Sequence, residues 1–184
     1  MVDVGLLQSL SYVAAATGVC AASIYYIMAL RATQRNMRIT LETRKLQFLT
    51  FITQSIQNEE GCKRFANMMN MSWSDYDDFE KKYGSDSNIE SYAERTTSML
   101  SYNMLGFLLR EKLVEPETLY DLGVFGGACF TWNKFESIIG ETRKRYAGED
   151  WLKEFELLVE EMIRIKIAKD PSYIIPEALT KYVP

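Results

Sequence analysis

The 184-residue chain contains no histidine. That absence removes Ser-His and Cys-His nucleophile pairs, HExxH metal sites and the commonest general base near neutral pH. A Ser-x-x-Lys arrangement, which can replace histidine in activating a serine, does not occur either. Three cysteines, Cys20, Cys62 and Cys129, are widely spaced and form no CxxC pattern. A disulfide framework and a zinc site are therefore not expected, and a reducing compartment fits. Alternating β-branched strand patterns and internal repeats are missing too. The most informative gap is in charge: from Val4 to Leu30, VGLLQSLSYVAAATGVCAASIYYIMAL, there is no charged side chain at all.

A helix rising about 1.5 Å per residue would carry this run roughly 40 Å, against a hydrocarbon core of about 30 Å. Gln8, Ser9, Ser11, Thr17 and Ser23 do not gather on one face, so an amphipathic surface helix is not the reading. A cleaved signal peptide wants a basic leading segment and a shorter apolar core, whereas Asp3 is the only charge before the run. A lipoprotein cysteine at Cys20 would follow a small residue, and here valine precedes it. A central core helix of a soluble bundle is the remaining competitor. The expectation is a single-pass membrane anchor over residues 1–30.

Just beyond the run come Arg31, Arg35, Arg38, Arg44 and Lys45, opposed only by Glu42. Lys and Arg favour the cytoplasmic side, so the amino terminus is expected outside and the following domain in the cytoplasm at the cell membrane. Tyr25, Tyr26, Arg31, Arg35 and Arg38 are the candidate membrane-interface residues, rings at headgroup level and cations just past it. Ala14, Gly18 and Ala22 sit four apart, which would let two membrane helices approach closely; they are the candidate self-association residues. Residues 46–184 carry 16 positive and 23 negative charges. An acidic domain beneath a basic collar suits an anionic lipid surface and disfavours nucleic acid as a partner. Membrane lipid, and a protein partner or a second copy of the chain, are the expected partners.

Almost every later segment has helical period, so the fold class is all-α: an N-terminal membrane helix continuing into a compact helical bundle. No Gly or Pro interrupts residues 31–57, expected as a basic juxtamembrane helix. A helical domain over 58–169 and an extended or loosely held tail over 170–184 complete the organisation. Within the domain, Asn58 starts a short amphipathic piece. Ser74 is the expected cap of a helix through Tyr83, with Asp77 three positions on and Gly84 at a left-handed end. Further helices are expected at about Ile89–Lys112, Pro116–Leu122, Val124–Tyr146 and Asp150–Ala168.

The stretches WSDYDDFEKKYG, SYNMLGFLLREKLVEPETLYD, FTWNKFESIIGETRKRY and WLKEFELLVEEM resemble a prokaryotic family of membrane-anchored helical proteins described as a domain of unknown function. The similarity spans roughly residues 35–165 with the preceding apolar run. Its most specific parts are Trp73 with Tyr76 and Phe79, the turn Asn103–Gly106, and Trp132 with Phe135 and Glu136. The resemblance implies an anchored helical architecture and no reaction.

Several groups of side chains bear on possible chemistry. Asp75, Asp77, Asp78 and Glu80 could hold a hard cation, but carboxylates also favour a helix's first turn, and Asp77–Lys81 and Asp78–Lys82 make ordinary i,i+4 pairs. Glu141–Arg145, Glu149–Lys153 and Glu160–Arg164 read the same way. Arg143, Lys144 and Arg145 could bind phosphate but suit a helix C-terminus. GVFGGACF, residues 123–130, lacks the Lys-Ser/Thr of a phosphate loop and reads as a flexible lead-in to a helix. Trp132, Phe135, Ile139, Trp151, Phe155, Leu158 and Met162 read as core, with an aromatic ligand pocket as the sharper alternative. No catalytic, cofactor-binding or metal-ligating residue is assigned, and no cofactor is expected. The function these observations favour is a membrane-tethered binding or scaffolding module; the rival is a membrane-anchored hydrolase or nucleotide-binding enzyme working through carboxylates and a divalent cation.

Overall fold

A computed structural model of the chain describes residues 4–182, apart from the side chains of residues 6, 48, 51–53, 55–57, 147 and 178. Among the described residues there are seven α-helices and no strand, so the fold is all-α. Residues Met1–Gln47 and Phe48–Pro184 form two compact units.

Helix α1 runs from Val4 to Gln57 without interruption. Its stretch Leu7–Gln47 is long and apolar enough to cross a membrane. Every described side chain from Val4 to Gln47 is exposed. Three hydroxyls of the run are satisfied by the helix itself. Ser9 donates to the Gly5 carbonyl at 2.9 Å, Thr17 to Val13 at 2.8 Å and Ser23 to Val19 at 2.8 Å. Such back-bonding removes the cost of placing a hydroxyl where no water can reach it. Asp3 lies outside the described residues.

The second unit begins its chain reversals with caps. Asn58 accepts from the Gly61 amide at 2.6 Å and opens α2, Glu59–Asn70. Helix α3, Tyr76–Tyr83, corrects the expected cap by one residue. Asp75, not Ser74, is the N-cap, accepting from the Asp78 amide at 2.8 Å, while Asp78 Oδ2 accepts from the Ser74 amide at 3.0 Å. SDYDD holds two overlapping capping registers; the one that forms buries Tyr76 and Phe79 together. Gly84 is extended, φ −70° and ψ 162°, rather than left-handed. What it needs is room, because a Cβ there would strike the Glu80 carbonyl.

Asn88 caps α4, Ile89–Arg110, by accepting from the Ser91 amide at 3.0 Å. Short α5, Pro116–Asp121, carries its proline in the first turn, and Gly123 at φ +80° leads into α6, Val124–Thr142. A single π-helical turn over Arg143–Ala147, then Gly148 at φ +73°, ends that rod earlier than the expected Tyr146. Helix α7, Lys153–Lys169, starts three residues later than its sequence pattern, because Trp151 is spent in the turn and Leu152 adopts φ +58°. A left-handed leucine costs on the order of 1–2 kcal/mol; its nearly complete burial offsets that strain.

The most extensive helix pair is α4 with α7, followed by α6 with α7. Gly106 permits the first crossing, since any Cβ on it would overlap the Glu154 backbone of α7. Nearby, Asn103 Oδ1 accepts from the Phe155 amide at 3.1 Å. Leu152 has no side-chain oxygen with which to cap α7, so α4 supplies the cap across the interface. The stripes Trp132, Phe135, Ile139 and Phe155, Leu158, Met162 are wholly buried, each side chain stabilising the fold by about 1.5–3 kcal/mol. Trp151 is half-buried at their edge.

The tail differs from its expectation. Described residues beyond Asp170 end in a 3-10 segment, Glu177–Tyr182, whose Leu179 and Tyr182 are buried. Trp132 explains the docking: its Nε1 donates to the Tyr182 hydroxyl at 2.8 Å, which faces Glu136 at 3.2 Å and Glu156 at 3.3 Å. A buried indole N–H requires an acceptor, and the tail delivers one. Burial first, then those two carboxylates, push the Tyr182 phenol far up, so it stays protonated.

Candidate functional site

The candidate membrane-interface residues lie along one helix. Tyr25 and Tyr26 are exposed, as are Arg31, Arg35 and Arg38, with Arg38 Nε 3.1 Å from Glu42. Ala14, Gly18 and Ala22 are exposed on the same helix, and a Cβ built on Gly18 meets nothing within 4 Å.

The acidic cluster of α3 disperses into structural duties. Asp75 caps the helix; Asp78 takes Lys82 at 2.8 Å; Asp77 reaches Arg145 on the π turn at 2.7 Å instead of Lys81. Glu80 lies in the field of Arg95, whose guanidinium is buried 4.4 Å over the Phe79 ring. Hydrogen bonding to Lys82 and to the Ser74 amide holds the Asp78 carboxyl below its ordinary range. No three acidic or cysteine side chains converge as a cation cage among the described residues.

The Arg143–Lys144–Arg145 cluster is likewise neutralised. Arg143 donates to the Trp151 carbonyl at 2.8 Å and to Glu156 at 2.9 Å, stitching the π turn to α7. Arg145 holds Glu141 at 2.9 Å as well as Asp77, and Lys144 reaches Glu141 at 3.5 Å. The other anticipated pairs shift by one residue: Lys153 meets Asp150 and Arg164 meets Glu161.

The motif residues behind the family resemblance also have architectural roles. Trp73 stacks on Phe135 at 5.3 Å and meets Phe79 edge-on at 5.0 Å. Asn103 and Gly106 make the α4–α7 crossing, and Trp132 with Glu136 holds the tail. None of these contacts presents a reacting group.

Two features among the described residues offer apolar surface to a ligand or partner. The first is a cavity of about 410 Å³ between α2, α4 and the start of α6. Phe65, Met68, Tyr102, Val124 and Phe130 give it a mostly apolar wall, and Arg64 is its cation. No carboxylate lines it among the described residues. The glycines of GVFGGACF shape it: Gly127 leaves room for the Tyr102 hydroxyl, and beside Gly126 there is open space up to the Phe130 ring. Burial pushes the Tyr102 phenol up to about 12 and the nearby buried Cys129 thiol up to about 12, so both stay neutral. Trp132, Phe135, Ile139, Phe155, Leu158 and Met162, read from sequence as core with a ligand pocket as the alternative, are core, and the cavity lies elsewhere. The available signal was the glycine pair, whose missing side chains leave space beside a helix.

The second feature is a row on α4. Ile89, Ala93, Thr97, Leu100, Met104 and Phe107 recur at three- and four-residue steps, and all are exposed, the large ones by 37–64%. Amphipathic helices place such a row against something.

Fold and surfaces thus define an all-α protein whose long N-terminal helix is apolar enough to cross a membrane, joined in sequence to a helical unit with a pocket and an apolar row. The chain belongs to the family described as Domain of unknown function (DUF4760), whose model matches residues 13–162. That match reaches from within the apolar run to Met162 of α7. No curated protein and no solved structure matches the chain.

Proposed function

We propose that the chain is a single-pass, membrane-tethered binding module, its amino terminus outside and its helical unit at the cytoplasmic face of the cell membrane. The α4 row carries this reading. It is a surface suited to contact, while the carboxylates a hydrolase would need are spent on caps and ion pairs. The anchor is supported by the uncharged run, in which Ser9, Thr17 and Ser23 satisfy their hydroxyls within the helix, and the orientation by the basic collar from Arg31 to Lys45.

The occupant of the row is a second copy of this chain. Glu90, at one end of α4, and Lys112, just past the other, have no ion pair within the described residues. Antiparallel pairing of two α4 helices brings Glu90 of each copy toward Lys112 of the other and opposes the helix dipoles favourably. Single-molecule photobleaching of the full chain in liposomes tests this. Two-step traces are expected, reverting to one step in a Leu100→Glu, Met104→Glu double variant and unchanged in Gly18→Leu. Loss of pairing in Gly18→Leu alone would move association to the anchor; single steps at every density would remove the second copy as the occupant.

A further inference from the structure

We infer that the cavity between α2, α4 and the start of α6 takes up an uncharged, largely hydrocarbon small molecule. The inference goes beyond the tethering reading, because every residue named for the cavity belongs to the helical unit. Its volume of about 410 Å³ falls within the roughly 300–1,000 Å³ of small-molecule sites. At the roughly 30 Å³ that a water occupies in the liquid, there is room for about a dozen non-hydrogen atoms. A docked helix is too bulky, since a single turn, roughly 5.4 Å long and 10 Å across, fills as much space by itself.

The wall decides the chemistry. Phe65, Met68, Tyr102, Val124 and Phe130 supply apolar surface from three helices, and the unbranched Met68 adapts to more than one shape. Phe130 is 53% exposed although it borders a concavity, so a bound molecule would cover a ring that the fold leaves in water. Engineered apolar cavities of only about 150 Å³ already take up benzene.

Charge of either sign is disfavoured. No carboxylate lines the cavity among the described residues, so a cationic head finds no counter-ion there. Arg64 already has a partner within the chain, so an anionic head would have to compete for it. A charge drawn out of water without a free counter-charge loses more than apolar contact returns. The hydroxyls of the wall ask for no charge either. Tyr102 keeps its proton, and Ser101 donates to the Thr97 carbonyl at 2.9 Å.

Gly126 makes the site testable. A Cβ there would meet only the Phe130 ring, at 3.9 Å, so a leucine at this lining position strikes no backbone with its Cβ. Cys62 supplies the readout, being exposed and part of the cavity wall. The full chain is placed in phosphatidylcholine nanodiscs and alkylated with N-ethylmaleimide, each cysteine being followed separately by mass spectrometry. Probes are compared at equal free aqueous concentration. Added 1-decanol should slow Cys62 alkylation, while decanoate and decyltrimethylammonium should need at least about tenfold more to match it. Gly126→Leu should abolish protection by decanol. Phe130→Ala, at an exposed position, should weaken it about tenfold through the lost ring contact. Absence of protection in the wild-type chain overturns the inference. So does protection by either charged amphiphile as strong as that by decanol, protection that survives in a folded Gly126→Leu protein, or undiminished protection in Phe130→Ala. Because pairing through α4 is read separately by photobleaching, failure here leaves that reading standing, and the reverse holds too.

Discussion

Two regions of one chain satisfy their polar groups in opposite ways. Up to Gln47, α1 buries no described side chain, and the hydroxyls of Ser9, Thr17 and Ser23 in its uncharged run return to carbonyls four residues back. From Asn58 onward, polar groups are satisfied between elements: Asn103 caps α7 from α4, Arg143 ties the π turn to α7, and Tyr182 reaches Trp132 from the tail. Self-contained bonding works in any solvent, including one without hydrogen-bonding partners. Cross-element bonding works only after a core has formed. The difference fits a first helix that is apolar enough to cross a membrane, and changes on either side should leave the other intact.

Trp132→Ala should break the helical unit most severely. It removes a fully buried indole and the acceptor-donor link to Tyr182, and a loss of about 3–5 kcal/mol is expected in denaturant unfolding. Membrane association should not change. On the other side, Val19→Arg places a charge inside the uncharged run, and its insertion should become less favourable by about 2.5–3.5 kcal/mol, read as membrane-bound fraction. The helical unit's unfolding should stay as it was.

Smaller effects sharpen the same contrast. Gly106→Ala forces α4 away from the Glu154 backbone and should cost about 1–3 kcal/mol by the same unfolding measurement. Asn103→Ala, which uncaps α7, should cost about 1 kcal/mol. Acid should act through Asp78, Glu141 and Asp170, held below their ordinary values chiefly by Lys82, Arg145 and Lys166. Groups whose folded pKa is lowered stabilise fully above the unfolded value and lose that contribution as pH falls through the folded one. The midpoint of thermal unfolding should be level between about pH 6 and 8, where no histidine titrates, and should fall below about pH 4.

Much of this division is legible in the sequence, because charge, proline and glycine are strong local signals. The uninterrupted α1, the restart at Asn58 and the α6 and α7 core stripes follow from them directly. What escapes is set by competition between distant residues. Ser74 and Asp75 are equally good caps until Tyr76 and Phe79 must be buried together. Gly84 looks like a left-handed terminator, yet that conformation falls to Gly123, Gly148 and even Leu152. The tail, with two internal prolines, reads as loose because nothing local shows that a tryptophan fifty residues earlier needs its tyrosine. The cavity is hidden for a similar reason: a glycine pair is visible, but the tyrosine and arginine around it come from other helices.

The two exposed cysteines test the central claim most directly. Cys20 lies within the uncharged run and Cys62 in the helical unit, and both are exposed in the chain by itself. Only a lipid environment would distinguish them. With the full chain in sealed liposomes and a membrane-impermeant thiol reagent supplied on both sides, Cys62 should be modified and Cys20 spared until detergent is added. Modification of Cys20 at the rate of Cys62, in water and without detergent, would contradict a membrane-spanning first helix.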